Sequence, residues 1–270
     1  MSGPSFAARA ILVPVVVAVT VSCGGGSPVA PSGSPTPTHT PFTQEFDNGM
    51  PCPPSNRRDV PPGSGCVSTA EGDLDGDGAK DLFLVFAHLG DGGAPQSWAV
   101  RAVLASGPTA PTRIPTGPAA GGIAEVYPRA VGAVDANGDG RDEAVVKLTG
   151  IIYHVAGQRI LGVFDVAGGA VRQVTFPNGD PLIFTTGGIA SFGQGARCDL
   201  DAHPPTFAVT RAQKVASGSW KLTSWTYGWE GDRLTGPEES IENVPIDTDF
   251  FDPRIIPYYG FNCGSLHGVT

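Results

Sequence analysis

The sequence lacks the compact motifs that mark several common classes of enzyme. It contains no Gly-x-Ser-x-Gly elbow, no His-Glu-x-x-His motif and no phosphate-binding loop. A catalytic site can still be assembled from residues that are distant in sequence, because such sites are defined by geometry rather than by order. The five histidines are scattered through the chain: they are His39, His88, His154, His203 and His267.

The sequence also has little positive charge. Lysine and arginine together number 17 against 26 aspartates and glutamates, which gives a formal net charge of −9. A chain with this balance is repelled by phosphate backbones and by anionic lipid surfaces. The charge therefore argues against nucleic acid as a partner and suits a protein that works outside the cell.

No cysteine has a neighbouring cysteine or histidine at a zinc-binding spacing such as Cys-x2-Cys. Of the five cysteines, Cys23 belongs to the N-terminal segment and four remain. An even number in an exported protein indicates two disulfides, although four cysteines permit three connectivities. Nearness in sequence favours Cys52 with Cys66 and Cys198 with Cys263.

Long hydrophobic runs are missing near the N-terminus as well. The apolar run at residues 10–21 is shorter than the roughly 20 residues that span a membrane, and it predicts an export signal over residues 1–22. Ser22-Cys23 and the three glycines that follow resemble the lipobox of bacterial lipoproteins. The resemblance implies that Cys23 is lipidated and anchors the chain to the extracellular side of the cell membrane. The alternative is an ordinary secretory signal, with Cys23 incidental and the protein secreted.

Residues 23–44 are mostly Gly, Ser, Pro and Thr and have too few large apolar side chains to bury a core. We expect a disordered tether there, which would hold the rest of the chain away from the membrane. The remaining residues, 45–270, are enough for one sizeable domain.

The most informative stretch runs from Asp73 to Asp81 and places four carboxylates and two glycines in nine residues. A hard cation such as Ca²⁺ takes about six to eight oxygen ligands, so a short loop must turn alternate side chains inward and add a backbone carbonyl. The spacing meets this need and predicts a calcium loop. The predicted ligands are Asp73, Asp75 and Asp77 at positions 1, 3 and 5, the Ala79 carbonyl at position 7, and Asp81 at position 9.

The residues after this loop distinguish it from an EF-hand. An EF-hand carries a bidentate Glu at position 12, where this chain has Leu84. Residues 82–86 form a continuous apolar run, which is typical of a buried strand rather than of an amphipathic helix. The loop is therefore predicted to join two β-strands.

A second loop with the same oxygen pattern begins 62 residues further on. A third stretch begins after another 64 residues and keeps Asp199 and Asp201, but it has His203 and Phe207 at positions 5 and 9, so we expect it to have lost its metal. Self-similarity at a fixed period is the sequence signature of a repeat architecture. The ligands predicted for the second loop are Asp135, Asn137, Asp139, the Arg141 carbonyl and Glu143.

Each period has room for about four antiparallel strands, the number in a propeller blade. The clearest hairpin is predicted at residues 160–166 and 170–176. The pattern Asp-x-Asp-Gly-Asp-Gly-x-x-Asp, with a near copy one period later, resembles the FG-GAP and VCBS-type repeats, the calcium-loop blades of integrin α-chain propellers and of many bacterial surface proteins. The resemblance implies an all-β fold with about three to four β-propeller-like blades, which need not close into a full ring. It also implies that calcium is structural, since a loop saturated with protein oxygens leaves no open coordination site.

Three aromatic residues, Trp225, Tyr227 and Trp229, alternate along one predicted strand and so share one face. Such a strip can stack on sugar rings or on a partner, and packing between blades is the alternative. Together, the features of the sequence predict an exported, calcium-binding surface lipoprotein that acts as a binding or scaffold module for a protein or glycan ligand. The alternative function is an extracellular hydrolase on the same scaffold.

Overall fold

Antiparallel β-strands dominate the computed structural model, which describes residues 52–114, 127–153, 156–216, 218–245 and 252–269. All of these residues belong to one compact unit that runs from Pro41 to Thr270. The predicted export signal, Cys23 and the predicted tether lie outside the described residues. None of the helical segments in this part of the chain has the length and apolar character that a membrane crossing needs.

The described residues form sixteen strands and two short 3-10 helices, at Asp91–Gly93 and Ile256–Tyr258. The strands are β1 (Ser64–Gly72), β2 (Asp81–Leu89), β3 (Pro95–Leu104), β4 (Gly107–Pro108), β5 (Thr112–Arg113), β6 (Arg129–Val134), β7 (Glu143–Tyr153), β8 (Ala156–Ala167), β9 (Ala170–Gln173), β10 (Ile183–Ile189), β11 (Phe192–Asp199), β12 (Thr206–Ala216), β13 (Ser219–Glu230), β14 (Arg233–Pro245), β15 (Phe261–Cys263) and β16 (Leu266–Val269).

These strands form two sheets. The first has five strands in the order β1-β2-β3-β4, with β5 paired to β3. The second has eleven strands and follows the order β14-β13-β12-β11-β10-β8-β7-β6, with β9 on β8 and the β15–β16 hairpin attached to β11. Every pairing between these strands is antiparallel except that of β11 with β15. The prediction of an all-β fold is therefore confirmed.

Three groups of four consecutive strands recur along the chain: β1–β4, β6–β9 and β11–β14. Within each group, neighbouring strands pair as an antiparallel meander. The number of propeller-like blades stays a prediction, because the second and third groups are not separate sheets. Strand β10 pairs with β8 on one side and with β11 on the other, so it joins the two groups into one sheet. The described strands form neither a closed barrel nor a propeller.

Strand β2 is buried on both faces, which accounts for its continuous apolar sequence. Phe83 and Val85 face a core that also contains residues of β7 and β8, where the rings of Phe83 and Phe164 lie 6.1 Å apart. Leu84 and Phe86 face a smaller cluster on the opposite side. Because one face of the first sheet packs against the second sheet, the hydrophobic effect holds the two sheets together.

Two disulfides stabilise the ends of this unit. Cys52 is bonded to Cys66, which ties the segment before β1 to that strand. Cys198 is bonded to Cys263, which ties β11 to the C-terminal β15. Both pairings predicted from nearness in sequence are confirmed.

Candidate metal centre

Each of the three acidic loops connects the first and second strands of a four-strand group. The first loop lies between β1 and β2, the second between β6 and β7, and the third between β11 and β12. The prediction that the first loop joins two strands is confirmed. Since the same turn of each group carries the acidic residues, the three loops are related by their place in the topology as well as by their spacing in the sequence.

The first loop is organised by hydrogen bonds from its backbone to its own carboxylates. Oδ1 of Asp73 accepts a hydrogen bond from the amide of Gly76 at 2.9 Å, and Oδ2 accepts one from Gly78 at 2.8 Å. Gly76 has a φ of +80°, a left-handed conformation that glycine adopts without steric cost. At the end of the loop, Oδ2 of Asp81 accepts a hydrogen bond from the Leu74 amide at 2.9 Å.

Three of the four predicted side-chain ligands in this loop lie close together. One carboxylate oxygen from each of Asp73, Asp75 and Asp81 lies within 4.8 Å of the other two. Asp77 is not part of this cluster, and its Oδ1 accepts a hydrogen bond from the Ala79 amide at 2.7 Å. A set of carboxylate oxygens is the donor set that a hard divalent cation prefers.

Burial affects the carboxylate that closes the first loop. Asp81 is 4 % exposed, and burial raises its pKa, assisted by the negative charges of Asp75 and Asp77. Bringing three carboxylates together without a cation costs free energy, since like charges repel and a buried charge loses its hydration. A bound cation would offset both costs.

The second loop repeats the hydrogen bonds of the first at equivalent positions. Asp135 accepts hydrogen bonds from the amides of Gly138 at 2.7 Å and Gly140 at 3.0 Å, as Asp73 does from Gly76 and Gly78. Oε2 of Glu143 accepts a hydrogen bond from the Ala136 amide at 2.8 Å, as Asp81 does from Leu74. The two loops therefore share one backbone design, although the second ends in a longer carboxylate.

Glu143 is the most deeply buried acid of the two loops. It is 0 % exposed, and burial, with a further contribution from neighbouring aspartates, raises its pKa from 4.5 to about 8. Nδ2 of Asn137 donates a hydrogen bond to its Oε1 at 2.8 Å. A carboxyl group with this pKa is mostly protonated at neutral pH unless a cation is present to stabilise the charge.

The second loop contains a positively charged side chain, the guanidinium of Arg141. Sequence reasoning assigned this residue only a backbone carbonyl. Its Nη2 lies 2.6 Å from Oδ2 of Asp139, and its Nη1 donates a hydrogen bond to the Val166 carbonyl at 2.9 Å. Nη1 also lies 3.4 Å from Oδ1 of Asp165, a carboxylate on β8 whose side chain is 2 % exposed. Although burial raises the pKa of Asp139, the hydrogen bonds from Arg141 lower it overall.

The first two loops are joined directly to each other. Oδ2 of Asp142 accepts a hydrogen bond from the Asp73 amide at 2.9 Å, and the Asp142 amide donates to the Asp73 carbonyl at 2.7 Å. Asp142 has no role in the predicted ligand set, so its function was missed. It fixes the backbone of Asp73, the residue at position 1 of the first loop.

The third loop differs from the other two. Its Asp199 accepts one hydrogen bond from the Ala202 amide at 3.1 Å. Within the described residues, the only group of three acidic, histidine or cysteine side chains close enough to hold a metal is the one in the first loop. The prediction that the third loop has lost its metal thus stays a prediction, and its geometry is compatible with that loss.

The predicted aromatic strip on β13 is divided between two environments. Tyr227 and Trp229 are partly buried against the core, with ring centroids 5.6 Å from Phe176 and 6.0 Å from Phe207, respectively. Trp225 instead lines a surface groove with polar side chains of β12, β13 and β14. The three rings therefore share one face of the strand without forming a single exposed platform.

Comparisons of the chain with protein-family models, with curated proteins and with solved structures gave no match. The function has to be argued from the geometry of the chain itself.

Proposed function

We propose that this chain is an exported binding or scaffold protein built from calcium-loop units of the FG-GAP and VCBS type, in which calcium is structural. The observation that carries the proposal is the common design of the first two loops. In both, the acid at position 1 accepts hydrogen bonds from the amides at positions 4 and 6, and the acid at position 9 accepts one from position 2. Two loops 62 residues apart that share these bonds favour a repeated unit over two unrelated turns.

Contacts between neighbouring loops support the same proposal because they recur at equivalent positions. A Cβ on Gly76, position 4 of the first loop, would lie 2.9 Å from Cγ of Arg141, position 7 of the second. A Cβ on Gly138, position 4 of the second loop, would lie 2.7 Å from Cγ of Pro205, position 7 of the third. Each loop thus approaches the next in the same way.

Contacts between the fourth strands of successive groups also recur at equivalent positions. Ala110, just after β4, forms a parallel bridge with Ala170, the first residue of β9. Thr175, just after β9, forms a parallel bridge with Arg233, the first residue of β14. In both cases the chain that leaves the fourth strand of one group meets the start of the fourth strand in the next. This supports three successive units, of which the third has lost its metal ligands.

The donor chemistry supports calcium in a structural role. In the first loop, Asp73, Asp75 and Asp81 would supply carboxylate oxygens, with Asp77 and the Ala79 carbonyl as further ligands after local adjustment. In the second loop, Asp135 and Glu143 would supply carboxylate oxygens. Bound calcium would stabilise the turns between first and second strands, and extracellular modules of this kind bind it with Kd values of roughly 10⁻⁴ to 10⁻³ M.

The proposed location is the extracellular side of a bacterial cell membrane, with the chain anchored through lipidated Cys23 or secreted. The two disulfides support an oxidising compartment, because such bonds persist outside the cytosol. The net charge of −9 suits a protein held away from anionic surfaces by a tether.

Thermal unfolding of the full chain, with disulfides intact, tests the calcium claim. At a calcium concentration ten times Kd, each site should stabilise the folded state by about 1.4 kcal/mol, which corresponds to a rise in Tm of roughly 3–6 °C for a chain of this size. Magnesium at the same concentration and excess chelator provide the comparisons.

A matched pair of variants separates ligand loss from charge loss. Asp73→Asn with Asp75→Asn should remove most of the calcium shift from the first loop. Glu71→Gln with Asp91→Asn removes two exposed acids outside the loops and should leave the shift unchanged. Identical melting curves in calcium and chelator, with no calcium retained on metal analysis, would remove the central claim.

A further inference from the structure

The groove that contains Trp225 combines one aromatic ring with charged and polar side chains on three adjacent strands. Its residues are cross-strand partners on a single sheet face: Arg211 opposite Thr223, Gln213 opposite Lys221, and Trp225 opposite Glu239. We call these six residues the strand groove. Because they belong to three hydrogen-bonded strands rather than to a loop, their spacing is fixed by the sheet.

The opposite face of the same strands is buried. Ala212, Trp220 and Leu222 pack there with Ile255 and Tyr259 from the C-terminal segment. Trp220 is 0 % exposed and Leu222 is 3 % exposed, so the sheet beneath the strand groove is held by a packed core. A surface supported in this way loses little conformational entropy when it binds a ligand.

The charges of the strand groove have the opposite sign to the chain as a whole. Arg211 and Lys221 outnumber Glu239, while the full sequence carries a net charge of −9. Among the described residues, none of these three side chains forms a salt bridge within the protein. The guanidinium of Arg211 lies 5.0 Å from the centre of the Phe192 ring, a cation–π contact that orients it without neutralising it.

We propose that the strand groove binds a sugar unit that carries a carboxylate, that is, a uronate of an acidic oligosaccharide. This assignment rests on the proposed function as an extracellular binding module and names its ligand class. The apolar C–H face of a pyranose ring stacks on the Trp225 indole, and the carboxylate pairs with Arg211 and Lys221. The ring hydroxyls form hydrogen bonds with Gln213, Thr223 and Glu239.

Each part of the strand groove contributes to this choice of ligand. Two unpaired cations favour an acidic ligand over a neutral sugar. A simple carboxylate or an extended acidic peptide has no pyranose face to stack on the indole ring. It also has no set of ring hydroxyls to pair with the three polar side chains. Glu239 suits an oligosaccharide because a free ring hydroxyl can donate a hydrogen bond to its carboxylate.

A second set of apolar residues continues along the same face of β13 and suits further sugar rings. Tyr227 lies two residues beyond Trp225 and lines an adjacent groove with Phe176, Pro177 and Pro237. Side chains two residues apart on a strand are separated by about 6.6 Å and point to the same side. An oligosaccharide that occupies the strand groove can therefore extend into the adjacent groove that Tyr227 lines.

The test is titration of the full chain in calcium with defined oligosaccharides, followed by calorimetry and by tryptophan fluorescence. The acidic probes are oligogalacturonate and hyaluronan fragments, and the comparisons are cellohexaose and oligoglutamate of matched charge. We expect at least one acidic oligosaccharide to bind more tightly than both comparisons, with an affinity that falls as salt rises. Lys221→Gln and Trp225→Ala should each weaken binding about tenfold or more.

Lys214→Gln is the matched control for Lys221→Gln. Lys214 is an exposed lysine on β12. It is the cross-strand partner of Trp220 and lies on the opposite face, so its loss should leave the affinity unchanged. Equal binding of oligoglutamate, failure of both acidic oligosaccharides to bind, or full affinity in both the Trp225→Ala and Lys221→Gln variants would overturn the assignment. The calcium-dependent shift in Tm is measured on the same preparations. If no acidic oligosaccharide binds but calcium still raises Tm, the sugar assignment is rejected and the calcium proposal is not.

Discussion

Glu143 shows how the burial of one carboxylate can make the stability of the folded state depend on pH. Its carboxylate is fully buried, accepts a hydrogen bond from the Ala136 amide and has a pKa raised to about 8. In the unfolded chain the same group loses its proton near 4.5. Between these two values the folded state binds more protons than the unfolded state, so stability without metal falls as pH rises through this window.

Replacement of Glu143 by Gln should therefore have opposite effects with and without calcium. In chelator at pH 7, Glu143→Gln should raise the free energy of unfolding by about 1–2 kcal/mol, because folding no longer has to protonate a carboxylate that is ionised in the unfolded chain. The gain is limited because the new amide meets Nδ2 of Asn137, which donates to the carboxylate in the native chain. In calcium, the same variant should lose the stabilisation that the second loop provides. Urea unfolding under both conditions measures the two effects.

Glu71→Gln is the control for this substitution, since Glu71 is an exposed glutamate on β1. It should change the unfolding curve little in either condition. The native chain in chelator should also lose stability from pH 5 to pH 8, and Glu143→Gln should flatten that profile. A variant less stable than the native chain in chelator as well as in calcium would contradict this account of Glu143.

Arg141 is predicted to stabilise the second loop by neutralising Asp165. The Asp165 side chain is 2 % exposed and lies 3.4 Å from the guanidinium, so Arg141→Met leaves a buried carboxylate uncompensated. Because Arg141 itself is 26 % exposed, we expect a loss of about 2 kcal/mol in chelator, below the value for a fully buried pair. Asp165→Asn in the same chain should restore most of the loss.

The more exposed pair of Arg57 with Asp59, whose side chains are 42 % and 23 % exposed, supplies the comparison for Arg141. Arg57→Met should leave the unfolding curve nearly unchanged, because an ion pair at the surface contributes little. If Asp165→Asn does not restore stability to the Arg141→Met chain, the effect of Arg141 arises elsewhere, for instance in its hydrogen bond to the Val166 carbonyl.

At the scale of the element, hairpins with local signals could be predicted and strands without them could not. The β8–β9 hairpin was predicted because Gly168-Gly169 separates two apolar runs, and the pairing of Ala167 with Ala170 confirms it. Strand β14 begins at Arg233 and runs to Pro245, but its sequence has no local signal of this kind. Its exposed edge carries glutamates and prolines, which protect an edge strand from pairing but give no apolar alternation to detect.

Strand β10 was missed for a different physical reason. Its Gly187-Gly188 pair resembles a turn in sequence, whereas the structure uses both glycines for close approach of neighbouring strands. A Cβ on Gly187 would lie 2.0 Å from the Gly157 carbonyl oxygen, and one on Gly188 would lie 2.1 Å from that of Phe192. Only knowledge of the neighbouring strands reveals this role, so β10 and the sheet that it completes could not be predicted.

The two disulfides should differ in their contribution to stability because they close loops of different length. Cys52 and Cys66 are 14 residues apart, and Cys198 and Cys263 are 65 apart. Loop-closure entropy gives about 3 kcal/mol for the shorter loop and about 4 kcal/mol for the longer one. The paired Cys→Ser variants at 198 and 263 should therefore lose about 1 kcal/mol more than those at 52 and 66, as measured by urea unfolding in calcium. Equal losses would show that the length of the closed loop does not decide their effects.

At the scale of the whole molecule, the contacts between the four-strand groups could not be predicted from the sequence. The acidic loops were recognisable because their chemistry is local and their spacing is regular. The bonds between Asp142 and Asp73, and the contact of Arg141 with Asp165, join residues that are 69 and 24 positions apart. They depend on how the four-strand groups pack, which no local pattern encodes.

The number of calcium ions bound by the full chain tests this view of the molecule as three related units. Two loops keep a full set of oxygen donors, while the third has His203 and Phe207 at ligand positions, so we expect two ions per chain rather than three. Calorimetric titration and native mass spectrometry should both give this number. Asp73→Asn with Asp75→Asn should leave one ion, Asp135→Asn with Asp139→Asn should leave one, and the four changes together should leave none. Because Asp142 joins the first two loops, loss of the second ion should also weaken binding at the first. A third ion that survives all four substitutions would place a functional site in the loop between β11 and β12, and the unit that we regard as degenerate would then be an active one.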